Sequence, residues 1–269
     1  MYKLIALDID GTLVNDEKKI TERTKSAIKA ARERGVTVVL ATGRPIDGII
    51  RYLEELDMFT ENDYALSYNG ALVLKSKDRE VVSKVGLLGS DLKYLFNLSK
   101  ELDVNIHAFS EERGLITPKE NKYTEIEATL NNIKYNLDDY SDISDDHSFI
   151  KIMMIDEPEK LDKAIEKLPK EVYEKYTVVK SAPFFLEFMN KKVNKGVGVE
   201  LLAKHLNIKQ EEIITMGDAG NDLHMIEYAG MGIAMGNATN DIKTIANYIT
   251  ESNNEDGVAK AIEKFVLKK

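Results

Sequence analysis

The chain has 269 residues, 43% of them apolar and 31% charged, the balance of an ordinary soluble globular protein with room for one large core or one core and a smaller companion. A formal net charge of −9 without a strong Lys/Arg cluster argues against nucleic acid as a partner, and the absence of cysteine excludes disulfides, thiol catalysis and cysteine-held metals. Residues 1–10 reach charged aspartates too soon for a signal-peptide apolar segment, and no run approaches the ~20 apolar residues of a membrane span, so a cytoplasmic protein without a membrane partner is expected.

In chain order, residues 3–7 form a short apolar run ended abruptly by Asp8, which suits a buried parallel strand. Thr21 is placed to cap a helix with Ala27, Ile28 and Ala31 on its apolar face, and Gly35 stands where a helix end favours left-handed geometry. Residues 36–41 then make a β-branched run, completing a β-α-β unit with an expected right-handed crossover. The middle differs. Strands are predicted over 104–109, 149–155, 176–180 and 184–189, with helices over 92–102 and 159–168. Only Ser181, Ala182 and Pro183 separate the last two strands, which permits a hairpin but no parallel crossover. The acidic stretch 137–147, with Asp138, Asp139, Asp142, Asp145 and Asp146, reads as a solvated loop rather than a cation site. A helix over 196–206, a strand over 213–216, a helix over 223–228 and a run over 232–235 restore the alternation. Ser252 and Glu255 form a capping box ahead of Val258, Ile262 and Phe265. The expected fold is α/β: a Rossmann-like, doubly wound parallel-sheet core from residues 1–81 and 191–269, with an α+β domain inserted over 82–190.

Three groups of residues follow directly on predicted core strands: Asp8, Asp10, Gly11 and Thr12; Thr42, Gly43 and Arg44; Gly217, Asp218, Asn221 and Asp222. Parallel strands end on one edge of their sheet, so these groups are expected to converge there. Carboxylates gathered without His or Cys partners repel one another unless a hard cation neutralises them, and magnesium fits that oxygen-only donor set better than zinc. Asp-Gly is also ordinary turn chemistry, but the convergence with Asp218 and Asp222 favours a site. Thr42 and Gly43, with Pro45 behind them, suit the start of a helix, either as an anion site or as a simple cap. Arg44 is equally a substrate contact or a surface ion pair, and Lys195 on local grounds alone is a solvent-exposed lysine before a helix.

The segments DIDGT at 8–12, LATGR at 40–44, NKG at 194–196 and GDAGND at 217–222 resemble the four motifs of the haloacid dehalogenase superfamily. Their order, with an insert between the second and third, is similar to the Cof-type phosphatases with a large, type C2B-like α+β cap. SYNGA at 67–71, KIMMIDEP at 151–158, KYTVVKSAP at 175–183 and IEYAG at 226–230 further resemble the YidA-like sugar phosphatase branch. The resemblance implies Asp8 as nucleophile and Asp10 as general acid and base. It implies Mg2+ held by Asp8, Asp218 and the Asp10 carbonyl with Asp222 in support, and the phosphoryl group held by Thr42, Gly43, Lys195 and Asn221. On this reading Asp10 needs a raised pKa. The small Ala219 and Gly220 depart from the larger polar residues common in relatives, a change that bears on loop rigidity and leaves Asp218, Asn221 and Asp222 in place.

An insert joined to the core at two points is expected to hinge over the strand edge and set specificity. His107, Arg113, Glu187 and Asn190 are polar candidates for a sugar hydroxyl, Glu187 first, with a solvent-facing Glu187 the equal alternative; Phe184, Phe185 and Phe188 read as core. The expected substrate is a small phosphorylated metabolite, a sugar phosphate above all. A phosphosugar mutase and a non-catalytic phosphometabolite-binding regulator are the alternatives, and the chain is expected as a monomer or homodimer.

Overall fold

The computed structural model describes residues 1–110 and 112–268. The chain divides into two compact units, Met1–Lys84 with Asn194–Lys269, and Val85–Val193. Strands β1 (Leu4–Leu7), β2 (Thr37–Ala41), β3 (Tyr64–Ser67), β4 (Leu72–Lys75) and β5 (Val81–Lys84) belong to the first unit. The second holds β6 (Leu87–Leu88), β7 (Asn105–Ser110), β8 (Gly114–Thr117), β9 (Tyr135–Leu137), β10 (Ser148–Ile155), β11 (Tyr176–Ala182) and β12 (Phe185–Asn190). The chain then returns to the first unit with β13 (Ile213–Gly217), β14 (Met231–Ala234) and β15 (Tyr248–Ile249).

The core sheet runs β15-β14-β13-β1-β2-β3-β4-β5, parallel from β15 to β3 and antiparallel from β3 to β5. All four residues of β1 are buried, as a central strand covered on both faces requires. Leu4, Ala6, Val39, Ala41 and Leu66 pack against Val199, Leu202 and Met225, which come from the helices Lys195–His205 and Leu223–Tyr228. Side chains alternate along a strand, so Ile5, Leu7 and Leu40 face the opposite side. There the helix Glu22–Glu33 lies against β2 and against the helix Gly257–Ile262. Thr21 caps the first of these helices by accepting the Thr24 N–H, and Gly35 turns the chain out of it at φ 81°. β5, whose pattern gave no strand signal, pairs with β4, so the core sheet extends to Lys84 rather than stopping at residue 81. The Ser252–Glu255 capping box opens a 3-10 turn, Asn253–Glu255, before the last helix.

The second unit is a sheet in the order β11-β12-β10-β7-β8-β9, with β6 also on β10 and only β8 and β9 parallel. On one face the helices Gly89–Glu101 and Pro158–Glu166 press Leu92, Leu95 and Leu161 onto Ile106, Ile152 and Met154. β11 and β12 form the expected hairpin, tightened to a Pro183-Phe184 connection because Ala182 still pairs with Phe185. The acidic stretch is a loop with Asp139, Asp142, Asp145 and Asp146 exposed, anchored by the buried Tyr140 and Ile143 and by Arg113, which binds Asp138 at 2.8 Å and Asp142 at 2.9 Å. No helix among the described residues is long and apolar enough to cross a membrane.

Candidate active site

β13, β1 and β2 are adjacent and parallel, so the segments that follow them leave the sheet on one edge. Asp8 stands immediately after β1, its N–H donating to the Met216 carbonyl at 3.0 Å, and Asp218 immediately after β13. Asp8, Asp218 and Asp222 each present a carboxylate oxygen, all within 4.8 Å of one another. Gly11 makes this approach possible. Its φ is 81°, and a Cβ there would stand 2.4 Å from Asp218 Oδ2, so an L side chain would strain the backbone and collide with the carboxylate. The Thr12 hydroxyl then donates to Asp218 Oδ1 at 2.9 Å.

Lys195 is fully buried, contrary to the exposure its immediate neighbours suggest. Asn194 caps the helix Lys195–His205 by accepting the Val197 N–H. Gly196 packs where a Cβ would meet the His224 carbonyl at 2.5 Å, and this close docking turns the Lys195 chain inward. Its Nζ lies 2.5 Å from Asp8 Oδ1 and 2.6 Å from Asp222 Oδ1. Asp222 also accepts the N–H groups of Asp218 at 2.9 Å and Ala219 at 3.0 Å, so its carboxylate fixes both the lysine and the loop.

Three carboxylates against one ammonium carry a formal surplus of two negative charges in a largely buried space. Burial pushes the Asp8 carboxyl up to about 7, with Lys195 opposing and Asp222 and Asp218 adding to the rise. Burial also raises Asp218. For Lys195 burial acts downward, but Asp8 and Asp222 outweigh it and hold the ammonium above its ordinary value. An all-oxygen donor set carrying two surplus negative charges fits a hard divalent cation such as Mg2+.

Asp10 behaves differently from its sequence expectation. Its carboxylate meets Arg44 Nε at 3.0 Å, Arg44 Nη2 at 2.7 Å and Lys18 Nζ at 2.8 Å. Partial burial acts upward, yet Lys18 and Arg44 together hold the carboxyl below its ordinary value, where a raised one was expected. Two cations face it, and together they outweigh the effect of its partial burial. Arg44 is therefore an ion-pair partner within the site. Thr42 and Gly43 also differ from expectation: the next element is a 3-10 turn, Ile46–Gly48, with Pro45 at its N-cap position, so neither residue sits at a helix N-terminus. Thr42 is buried, its N–H donates to the Leu66 carbonyl at 2.9 Å, and its hydroxyl accepts the Arg44 N–H at 3.2 Å. Asn221 is exposed and donates to Asn69 Oδ1 at 3.2 Å.

Lys18 and Asn69 thus touch the site without having been singled out from sequence. Lys18 gave no signal, whereas Asn69 belongs to an Asn-Gly turn after an apolar run, which is a placeable strand-end feature. The candidates in the second unit have partners of their own. Glu187 accepts from buried Lys151 at 3.3 Å and from the Ser181 hydroxyl at 2.7 Å, neither solvent-facing nor unengaged. His107 is buried against Thr124 and Met153, Arg113 holds the acidic stretch, and Asn190 donates to the Gly86 carbonyl. Phe185 and Phe188 are core, and Phe184 stacks on Tyr123.

Residues 5–262 match the family pattern of haloacid dehalogenase-like hydrolases. A Bacillus subtilis (strain 168) protein named "Putative phosphatase YxeH" is 46% identical over 271 residues, covering all of both chains. The 5-amino-6-(5-phospho-D-ribitylamino)uracil phosphatase YcsE of the same organism is 31% identical over 267 residues, 98% of this chain and 96% of its own. A solved sugar phosphatase of haloacid dehalogenase subclass IIB is 28% identical with a TM-score of 0.76, over 99% of this chain and 100% of that one.

Proposed function

The chain belongs to the haloacid dehalogenase-like hydrolases, and we propose that it is a Mg2+-dependent phosphatase that hydrolyses small phosphorylated metabolites, sugar phosphates first among them, through an aspartyl-phosphate on Asp8. The observation that carries this reading is the buried Asp8 carboxylate at the end of β1, held by Lys195 beside Asp218 and Asp222. The relatives' names support a phosphatase, and they span both sugar phosphates and a phosphoribityl compound, which keeps the substrate class at small phosphate esters.

Asp8, Asp218 and the Asp10 carbonyl would hold the cation, with Asp222 behind them; bound there, Mg2+ supplies positive charge to the equatorial phosphoryl oxygens. Lys195 adds a second positive charge and keeps Asp8 oriented. Thr42, the Gly43 N–H and Asn221 are assigned to the remaining phosphoryl oxygens. An Asp8 carboxylate oxygen forms the bond to phosphorus as the ester bond to the leaving oxygen breaks, and that oxygen takes a proton from Asp10. Water then attacks phosphorus, gives its proton to Asp10 and releases phosphate from Asp8. Because Lys18 and Arg44 hold Asp10 ionised, acid catalysis requires it to leave these cations and take up a proton from solvent before it meets the leaving oxygen. Selectivity among esters is assigned to the Val85–Val193 unit, and the cytoplasm is the assigned location.

Replacing Asp8 by Asn tests the proposal. Mg2+-dependent phosphate release from a panel of phosphate esters should fall about 10⁴-fold or more while the fold is kept, and full activity in this variant would refute it.

A further inference from the structure

The Tyr68–Gly70 turn follows β3, the neighbour of β2, and so leaves the sheet on the same edge as the Asp8 and Asp218 segments. All three residues have positive φ, 51°, 56° and 85°, and two of them are not glycine. A turn held in that conformation at a ligand edge is a positional device. Its contacts show what it positions. The Tyr68 N–H donates to the Arg44 carbonyl at 3.2 Å and the Asn69 N–H to the Thr42 carbonyl at 2.8 Å. A Cβ on Gly43 would lie 3.3 Å from the Asn69 amide, so glycine at 43 and asparagine at 69 are packed on one another. A Cβ on Gly70 would lie 2.6 Å from the Asn194 carbonyl, which seats the turn against the start of the Lys195 helix. Finally, Asn69 Oδ1 accepts from Asn221 Nδ2 at 3.2 Å.

One turn therefore touches the segments of Thr42–Arg44, Asn194–Gly198 and Asn221. Asn221 has most need of it, because its side chain is exposed on a loop beside the small Ala219 and Gly220. We propose that Asn69 is a positioning residue for phosphoryl transfer: its side-chain oxygen orients the Asn221 amide, and its backbone N–H holds the Thr42–Gly43 segment, so that both present their donors to one phosphate. This rests on the phosphatase reading above. The geometry also explains the residue type, since asparagine tolerates left-handed backbone and carries an acceptor that glycine lacks.

Asn69→Gly preserves the positive φ and the backbone bond to Thr42 while deleting the amide, so it separates orientation from folding. With Mg2+ and p-nitrophenyl phosphate, kcat/KM should fall about tenfold in Asn69→Gly with the melting temperature retained. Asn221→Ala should fall by a similar or larger factor. The double variant should be no worse than Asn221→Ala alone, because Asn69 acts through Asn221. Multiplying effects, or Asn69→Gly within about twofold of the parent, would overturn the proposal. If the parent protein turns over no ester, the phosphatase reading has failed separately. The same cycle is then read from inorganic phosphate affinity by calorimetry, where undiminished binding in Asn69→Gly overturns the positioning role.

Discussion

Each unit contains a buried lysine between two carboxylates, and the pair shows how position decides what such a cluster can do. In the first unit Lys195 bridges Asp8 and Asp222; in the second Lys151, 4% exposed, bridges Glu127 and Glu187 at 3.2 and 3.3 Å. Lys195 and Asp8 stand at the ends of elements, where the backbone leaves the sheet edge open to a ligand. Lys151 and Glu187 lie within strands β10 and β12, and the helix Lys122–Asn131 brings Glu127 over them, with Lys151 above the Phe109 ring as well. The charge balance differs too. Asp218 gives the first cluster a third carboxylate and a surplus of two negative charges, while the second has one lysine for two glutamates. We assign chemistry to the first and sheet specification to the second.

The largest effect expected from testing this contrast is in Lys195→Met. On the proposed mechanism, loss of this buried cation beside Asp8 should lower kcat/KM about 10²–10³-fold. It should also destabilise the protein by about 3–5 kcal/mol without Mg2+, part of which Mg2+ restores because a dication can neutralise the orphaned carboxylates. Lys151→Met should show a comparable loss of about 3–5 kcal/mol in denaturant unfolding, with no recovery in Mg2+. Adding Glu127→Gln and Glu187→Gln to Lys151→Met should return most of that stability, since neutral groups replace a structural triad but not a catalytic one. A Mg2+-sensitive Lys151→Met would break the distinction.

Mg2+ at about a hundred times its dissociation constant should stabilise the parent protein by about 2.7 kcal/mol, read as a thermal shift. Asp218→Asn should abolish most of that shift. The smallest effect concerns the second unit's buried His107, whose pKa burial drives well below 6.5, with Lys151 adding to the depression. In the unfolded chain it protonates near 6.5, so as pH falls below that value the unfolded state takes up a proton that the folded state refuses. Stability should therefore fall by up to about 1.4 kcal/mol per pH unit below 6.5 until the folded pKa is reached. His107→Gln should flatten that slope in the difference between the two unfolding curves.

The site was partly legible from the chain because strand ends are legible. A run such as residues 3–7 closed by Asp8, or 213–216 followed by Gly217 and Asp218, marks both a strand and its edge, and parallel topology brings those edges together. β3, β4 and β5 carry little signal in the sequence, being short runs separated by turns, so the chain alone gives Asn69 no strand end to stand on. The partners of Lys18, Arg44 and Glu187 are not legible for another reason: a long charged side chain does not reveal its partner in the sequence around it.

That carboxylates gather on one edge of a parallel sheet is readable from the chain alone, since strand periodicity and the order of elements are local properties. Which lysines are buried, that Asp10 is clamped between Lys18 and Arg44, and that Glu187 is committed to Lys151 emerge only in the folded chain. These depend on charges brought together across large sequence separations, 187 residues for Lys195 and Asp8, and on a desolvation that exists only once the core has closed around them.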